Sequence, residues 1–233
     1  MHMPGISMPS VKELEMIPIY GEMFLLALNE DKGSITSFAK KTIAYGLAGA
    51  LLSELALEGK VCSNEKHRLE WLQSDPIGDE ILDYLFQDIQ SAGKHHKLTY
   101  WINQLCERPK VLRTRVVENL VAVEVLYEED NHFFRTLPSS DSNYLAIPNK
   151  YEKKQALRAM ILSTGKSDHR NLALLNMLVA SGLLGLIFTQ DELVTAERRI
   201  HEAVVREALE NPAMQTIEDI ERAVIDCIED GEG

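Results

Sequence analysis

Aromatic residues and cysteines are scarce in this chain, and their scarcity excludes several classes of protein. Only 6% of the residues are aromatic and glycine and proline are modest in number, which together with long periodic segments favours helix over sheet. The three cysteines, Cys62, Cys106 and Cys227, lie far apart and show no CxxC spacing. The sequence therefore predicts neither a disulfide framework nor a zinc site, and a reducing compartment fits it best.

Basic residues are outnumbered by acidic ones, and the formal net charge is −12 at pH 7. This balance makes broad nonspecific binding to DNA or RNA unfavourable. Two segments in which a helix precedes a hairpin resemble winged helices, but the first lacks a basic recognition helix, and we predict no nucleic-acid partner. Any anionic partner must instead meet a local basic patch.

Signatures of catalysis and of cofactor binding are also missing. GKS at residues 165–167 lacks the preceding glycine of a phosphate-binding loop, and His201 with Glu202 lacks the second histidine of a zinc-protease helix. His95 and His96 have no acidic or cysteine partner at metal-ligand spacing. No GxSxG nucleophile motif occurs. We therefore predict no catalytic residue, no metal and no cofactor, and a binding protein rather than an enzyme.

The N-terminal segment has no apolar stretch of signal-peptide length and carries Lys12, Glu13 and Glu15. We predict that residues 1–18 form a flexible arm. Residues 19–230 are predicted to form a single domain, because no linker interrupts the later segments. The 45% of residues that are apolar are enough to build an ample core.

The longest apolar run, residues 171–188, contains no charged residue. As a helix it would be roughly 27 Å long at about 1.5 Å per residue, with apolar residues on every side. A membrane span is one alternative, but the run is short for a bilayer, and amphipathic segments follow that can cover it. We predict a buried central helix, started by Asp168 as N-cap, around which a mainly α-helical domain packs.

The other segments are predicted to be amphipathic helices and small β-hairpins. A helix from Thr36 repeats apolar residues at every fourth position and ends at Gly59, and a hairpin follows it. Asp75 and Pro76 supply the N-cap and first residue of another helix. Pro109 starts a further helix, which leads into a second hairpin.

One basic segment contrasts with the acidic background. Residues 107–115, ERPKVLRTR, carry four basic residues and one acid at a predicted helix N-terminus. Lys110 and Arg113 are three apart and share a helix face, where free N–H groups and the helix dipole favour an anion such as a phosphate or an anionic lipid headgroup. Arg115 is a further candidate ligand. An ordinary solvated helix face, paired with nearby carboxylates, is the alternative.

An ordered set of motifs is similar to the Golgi phosphoprotein 3 family. The segment LLALNEDKGSITSFAKKTIAYGLAGALLSELALEGKV resembles the opening of that family, in which a Leu-rich segment and an acidic turn precede a helix with GLxGxxLxELxLxG. The segments DPIGDEILDYL, VVENLVAVEVL and DHRNLALLNMLVASGLLGLIF follow in the family's order. Together the matches extend over about residues 19–228.

The resemblance implies a cytoplasmic protein that docks peripherally on membranes by binding phosphatidylinositol 4-phosphate; eukaryotic members also hold the tails of membrane-bound glycosyltransferases. Two basic residues of the family's headgroup pocket fall on Lys110 and Arg113. The pocket's tryptophan and arginine fall on Ala39 and Ala48, so a ring and a charge are missing. Neighbouring Lys40 and Lys41 are candidate sources of replacement charge.

The family also links a hairpin to self-association, and the corresponding candidate surface here carries Phe133 and Phe134. Both rings cannot be buried on one face of a regular strand, which leaves a homo-oligomer contact open. We therefore expect a peripheral membrane protein that binds anionic phospholipid headgroups, with membrane-protein tails as further partners. The alternative is a soluble, protein-binding adaptor that has lost the lipid site.

Overall fold

The computed structural model describes residues 17–73, 75–130, 132–135, 150–163 and 168–231, and these residues are mainly α-helical. In this part of the chain the helices are α1 (Ile19–Ala27), α2 (Ile43–Leu57), α3 (Glu80–Ser91), α4 (Leu98–Cys106), α5 (Pro109–Ala122), α6 (Lys150–Leu162), α7 (His169–Ala180), α8 (Leu193–Ala208) and α9 (Pro212–Gly231), with a 3-10 turn at Leu184–Leu186. The strands pair as antiparallel hairpins: β1 (Leu28–Asn29) with β2 (Ser34–Ile35), β3 (Val61–Ser63) with β4 (Leu69–Trp71), and β5 (Leu126–Glu129) with β6 (His132–Arg135). The predicted fold class, mainly α with small hairpins, is confirmed.

The core is organised around α2, of whose 15 residues 13 are buried. Small side chains let its neighbours approach closely. A Cβ atom on Gly49 would lie 2.7 Å from the sulfur of Met177 on α7 and 2.8 Å from a methyl carbon of Val224 on α9. Helix α2 therefore packs directly against α7 and α9, and it shares the central position that the sequence assigned to residues 171–188 alone.

The apolar run at residues 171–188 does not form one long helix, contrary to the prediction. Helix α7 ends at Ala180 because Gly182 takes a left-handed conformation with φ +66°, and the amide of Leu183 donates to the carbonyl of Leu178 at 2.7 Å. This Schellman geometry satisfies the last carbonyl groups of the helix. Among the residues that the structure describes, no helix is long and apolar enough to span a bilayer.

Two other helix starts follow the sequence prediction. Helix α5 begins at Pro109. The carboxylate of Asp168 caps α7 by accepting the amide of Asn171 at 3.1 Å. In both cases the signal lies within one turn of the helix that it starts.

The start of α3 differs from the prediction, which placed it at Asp75 and Pro76. The N-cap is Asp79, whose Oδ1 accepts the amides of Ile81 at 3.0 Å and of Leu82 at 3.1 Å. Asp75 and Asp79 are therefore both of a residue type that caps helices, and α3 starts after the second of them.

The start of α2 is also later than predicted. Residues from Thr36 onward form turns rather than helix, with the amide of Ala39 donating to the carbonyl of Thr36 at 3.0 Å. Regular helix begins at Ile43, whose amide donates to the carbonyl of Ala39 at 3.0 Å. The turn segment projects from one end of α2.

Both predicted hairpins are present, and β1–β2 adds another at the predicted turn after α1. Strand β6 reaches this turn, because the amide of Phe133 donates to the carbonyl of Gly33 at 2.9 Å. Some predictions lie outside the described residues. These are residues 1–16 of the flexible arm, the GKS segment and the side chain of Phe134.

Candidate anion-binding site at the start of α5

Helix α5 starts directly after α4, at a proline whose ring fits the first helical position. Its N-cap is Arg108, whose side chain makes no capping hydrogen bond. A helix N-terminus without a side-chain cap keeps N–H groups and the positive end of the dipole available to an anion. This end of α5 is therefore chemically suited to hold a phosphate group.

Lys110 and Arg113 lie on the first turns of α5. The Nε atom of Arg113 donates to the carbonyl of Pro109 at 3.3 Å, which turns the guanidinium back toward the helix start. Lys110 is exposed and Arg113 half-buried. Within the described ranges neither side chain is paired with a carboxylate. Their positive charge is therefore not neutralised there by the protein.

Arg115 points to a different neighbour. Its guanidinium carbon lies 4.3 Å from the centre of the Tyr84 ring on α3, which is a cation–π contact. The face of the guanidinium stacks on the ring, and this contact anchors α5 to α3. Lys110 and Arg113 thus lie on the first turns of α5, whereas Arg115 contacts α3.

The turn before α2 places an exposed aromatic ring beside two lysines. Lys40 and Lys41 are exposed, and the side chain of Phe38 is 60% exposed. Phe38 also borders a cavity of about 590 Å³ that Leu184 and Phe188 help to line. Phe38 is not among the candidate residues predicted from the sequence, although an aromatic residue just ahead of two lysines is typical of a segment at a membrane interface.

Ala39 and Ala48, the positions at which the resemblance places a tryptophan and an arginine, are both 0% exposed. Both side chains pack into the core and present nothing to a ligand. The exposed ring nearest in sequence to Ala39 is that of Phe38, and the neighbouring charges are those of Lys40 and Lys41.

The α4–α5 junction lies near the first turn of α2, which follows the turn that carries Lys40 and Lys41, here called the lysine turn. Burial, together with the nearby thiols of Cys106 and Cys227, raises the pKa of Tyr45 in the first turn of α2. Because Cys106 is the last residue of α4, it brings the α4–α5 junction close to the start of α2. Burial and the charges of Asp226 and Asp230 raise the pKa of Cys227 to about 11, so the acidic end of α9 also lies here.

The two adjacent histidines of the sequence have structural partners. The ring of His95 contacts the carbonyl of Leu69 at 3.2 Å, and the ring of His96 stacks on Tyr100 with centroids 3.8 Å apart. The part of the chain that the structure describes contains no group of three or more His, Cys, Asp or Glu side chains arranged to hold a metal ion.

Phe133, on the β5–β6 hairpin, is half-buried and packs against the core. Its backbone is tied to the β1–β2 turn, as described above. Self-association through this hairpin stays a prediction.

The comparison with protein families agrees with this architecture. A family model described as Golgi phosphoprotein 3 (GPP34) matches residues 19–221. The matched segment begins with α1, contains α5 with Lys110 and Arg113, and ends within α9. The chain belongs to the Golgi phosphoprotein 3 family.

Proposed function

We propose that this chain is a non-enzymatic, peripheral membrane-binding protein of the cytoplasm that recognises an anionic phospholipid headgroup at the start of α5. The favoured ligand is a phosphoinositide such as phosphatidylinositol 4-phosphate. The observation that carries the proposal is an uncapped helix N-terminus beside two cations, Lys110 and Arg113, that lack a carboxylate partner in the described residues. Membership of the Golgi phosphoprotein 3 family supports it.

The strength of this site can be bounded from its charges. A basic residue near an anionic membrane contributes about 1 kcal/mol, and a helix N-terminus contributes about 0.3–1 kcal/mol to an anion. Lys110 and Arg113 with the α5 terminus therefore give weak docking by themselves. Stable docking requires a second contact on the same domain or oligomerisation.

The lysine turn before α2 is proposed to supply one such contact. Lys40 and Lys41 add positive charge, and the exposed ring of Phe38 has the amphipathic neighbourhood typical of residues at a membrane interface. In this proposal Phe38 takes the place of the ring that is absent at Ala39.

A second candidate function is a protein-binding adaptor that holds the tails of membrane proteins. The observation that favours it is the cavity of about 590 Å³ beside Phe38, which has an apolar wall formed by residues such as Leu184, Phe188 and Leu193. An apolar peptide side chain fits such a wall. This function does not require the headgroup site.

Co-sedimentation with vesicles tests the lipid proposal. We expect the native chain to bind vesicles containing phosphatidylinositol 4-phosphate better than vesicles matched in charge with phosphatidylserine. Lys110→Glu with Arg113→Glu should abolish that preference. As a control of equal charge change, Arg198→Glu with Arg206→Glu alters exposed side chains on α8 and should leave the preference intact.

Equal binding to both vesicle types would mean charge attraction without headgroup recognition. Absence of binding by the native chain would overturn the lipid proposal and leave the adaptor function.

A further inference from the structure

A second group of basic side chains is assembled from two loops that are distant in sequence. The turn between β3 and β4 carries Lys66 and Arg68, and the loop before α4 carries Lys94 and Lys97. These four residues are called the β3–β4 basic cluster. The loops lie side by side because Arg68 and Lys97 form an antiparallel bridge.

Several hydrogen bonds hold this arrangement. The amide of Leu69 donates to the carbonyl of His96 at 2.9 Å, and the amide of Leu98 donates to the carbonyl of His67 at 3.1 Å. The guanidinium of Arg68 donates to the carbonyl of His95 at 2.7 Å. The cluster is therefore fixed by backbone contacts between the loops.

Two of the acidic side chains nearby have other partners, and a third, Asp226, lines the same cavity as Lys66 and Lys97. The carboxylate of Asp219 accepts a hydrogen bond from the hydroxyl of Ser63 and contacts the ring of His67 at 3.1 Å and the guanidinium of Arg222 at 3.7 Å. The side chain of Glu70 accepts from Asn64 at 2.6 Å. In the described part of the chain, no member of the β3–β4 basic cluster forms an ion pair.

The pKa of a histidine beside the cluster also reflects its positive charge. Burial, followed by the charges of Lys94 and Arg68, lowers the pKa of His96. The charges of both loops therefore act on the ring of His96. In a chain with a net charge of −12, such a concentration of unpaired positive charge favours an anionic partner.

Helix α4 connects this cluster to the candidate site at α5. Lys97 precedes its first residue and Arg108 follows its C-cap, and nine residues at about 1.5 Å each separate the two ends by roughly 13 Å. The exposed residues of α4 and its C-cap follow the spacing i, i+3, i+4, i+7 and therefore form one stripe between the two basic regions: Tyr100, Asn103, Gln104 and the C-cap Glu107.

From this arrangement we infer that the β3–β4 basic cluster is a second contact with an anionic phospholipid surface, joined to the headgroup site by the exposed stripe of α4. The inference rests on the proposed function, because it supplies the further contact that weak headgroup binding requires. Two contacts on one domain make the second binding event intramolecular and raise the overall affinity. Tyr100, 39% exposed and stacked on His96, places an aromatic ring along the same stripe.

The test is the variant Lys94→Glu with Lys97→Glu, measured against the native chain and the α8 control Arg198→Glu with Arg206→Glu. Affinity for vesicles containing phosphatidylserine and phosphatidylinositol 4-phosphate should fall about tenfold or more, and binding should depend less steeply on salt. Calorimetric affinity for soluble inositol 1,4-bisphosphate should be unchanged. Thermal unfolding verifies that each variant is folded.

Two results separate the inference from the proposed function. If Lys94→Glu with Lys97→Glu binds vesicles like the α8 control, while Lys110→Glu with Arg113→Glu loses the soluble headgroup, the second contact is wrong and the headgroup site stands. If vesicle binding requires Lys94 and Lys97 but not Lys110 and Arg113, the headgroup site is wrong and the second contact stands.

Discussion

The hydroxyl of Tyr20 on α1 donates a hydrogen bond to Oδ2 of Asp79, whose Oδ1 caps the first turn of α3. One carboxylate thus satisfies a buried phenol and two helix amides. The same hydroxyl lies 3.1 Å from the side-chain oxygen of Asn119 on α5. Because α5 carries the candidate headgroup site, this contact links that helix to the core.

Replacing Asp79 by alanine should therefore destabilise the fold. Loss of an N-cap costs about 1 kcal/mol, and a hydrogen bond to a charged group contributes about 1.5–3 kcal/mol, so we expect roughly 2–4 kcal/mol by urea unfolding. Tyr20→Phe removes the hydroxyl alone and should cost less. Equal stability of Asp79→Ala and the native chain would show that the capping contacts carry little energy.

A buried ion pair makes a pH-dependent contribution. Arg170 pairs with Glu54, which is 3% exposed in its side chain and also accepts the amide of Ile19 at 2.7 Å. Burial raises the pKa of Glu54, and Arg170 and the amide of Ile19 oppose this effect. A raised pKa in the folded state means that stability is lost as the pH rises through it and the buried carboxyl ionises.

We therefore expect Arg170→Met to destabilise the fold by roughly 3 kcal/mol near neutral pH, since it leaves a buried carboxylate without its cation. The destabilisation should become smaller as the pH is lowered toward about 5, because the raised pKa favours protonation of Glu54 and protonation removes the uncompensated charge. Urea unfolding at both pH values measures this difference. A larger loss at the lower pH would contradict the assignment.

The thiols should be unreactive in the folded protein. Burial, with a contribution from Cys227, raises the pKa of Cys106 to about 12, and burial also raises the pKa values of Cys62 and Cys227. Because the thiolate is the reactive form, reaction with a disulfide reagent at about pH 8 should be slow until denaturant is added. Rapid labelling of Cys106 in the native chain would contradict the packing around it.

Arg115 and Arg113 should behave differently although both are basic residues of α5. Arg115→Gln loses the contact with Tyr84 and should cost about 0.5–1 kcal/mol in unfolding free energy, with little effect on vesicle binding. Arg113→Gln should weaken vesicle binding more than it affects stability. The reverse pattern would place the headgroup contact at Arg115.

Local signals in the sequence predicted those elements whose determinants lie within one helical turn. Pro109 and Asp168 act on the helix that follows them, so their roles are readable without the fold. Asp75 and Asp79 offer equivalent local signals before α3. Asp79 also accepts a tertiary hydrogen bond from Tyr20, and this contact cannot be predicted from the local sequence.

Three further features were not predicted from the sequence, and each depends on backbone conformation or tertiary contacts. Gly182 ends α7 inside an apolar run through its left-handed conformation. The sequence prediction missed this helix end because apolar composition indicates burial and does not reveal a left-handed turn. The exposure of Phe38 depends on the turns of residues 36–42, which bury Ala39 and leave the neighbouring ring of Phe38 outside the core. The β3–β4 basic cluster depends on the bridge between Arg68 and Lys97, which joins segments that are far apart in sequence.

The central claim is that an anionic headgroup binds at the start of α5. The most direct test is an NMR titration of the native chain with inositol 1,4-bisphosphate, with Lys110→Glu plus Arg113→Glu as the comparison. The account predicts saturable shifts of the backbone amides of Lys110 and Val111 that the double variant lacks. Saturable shifts confined to another part of the chain, or none at all, would contradict it.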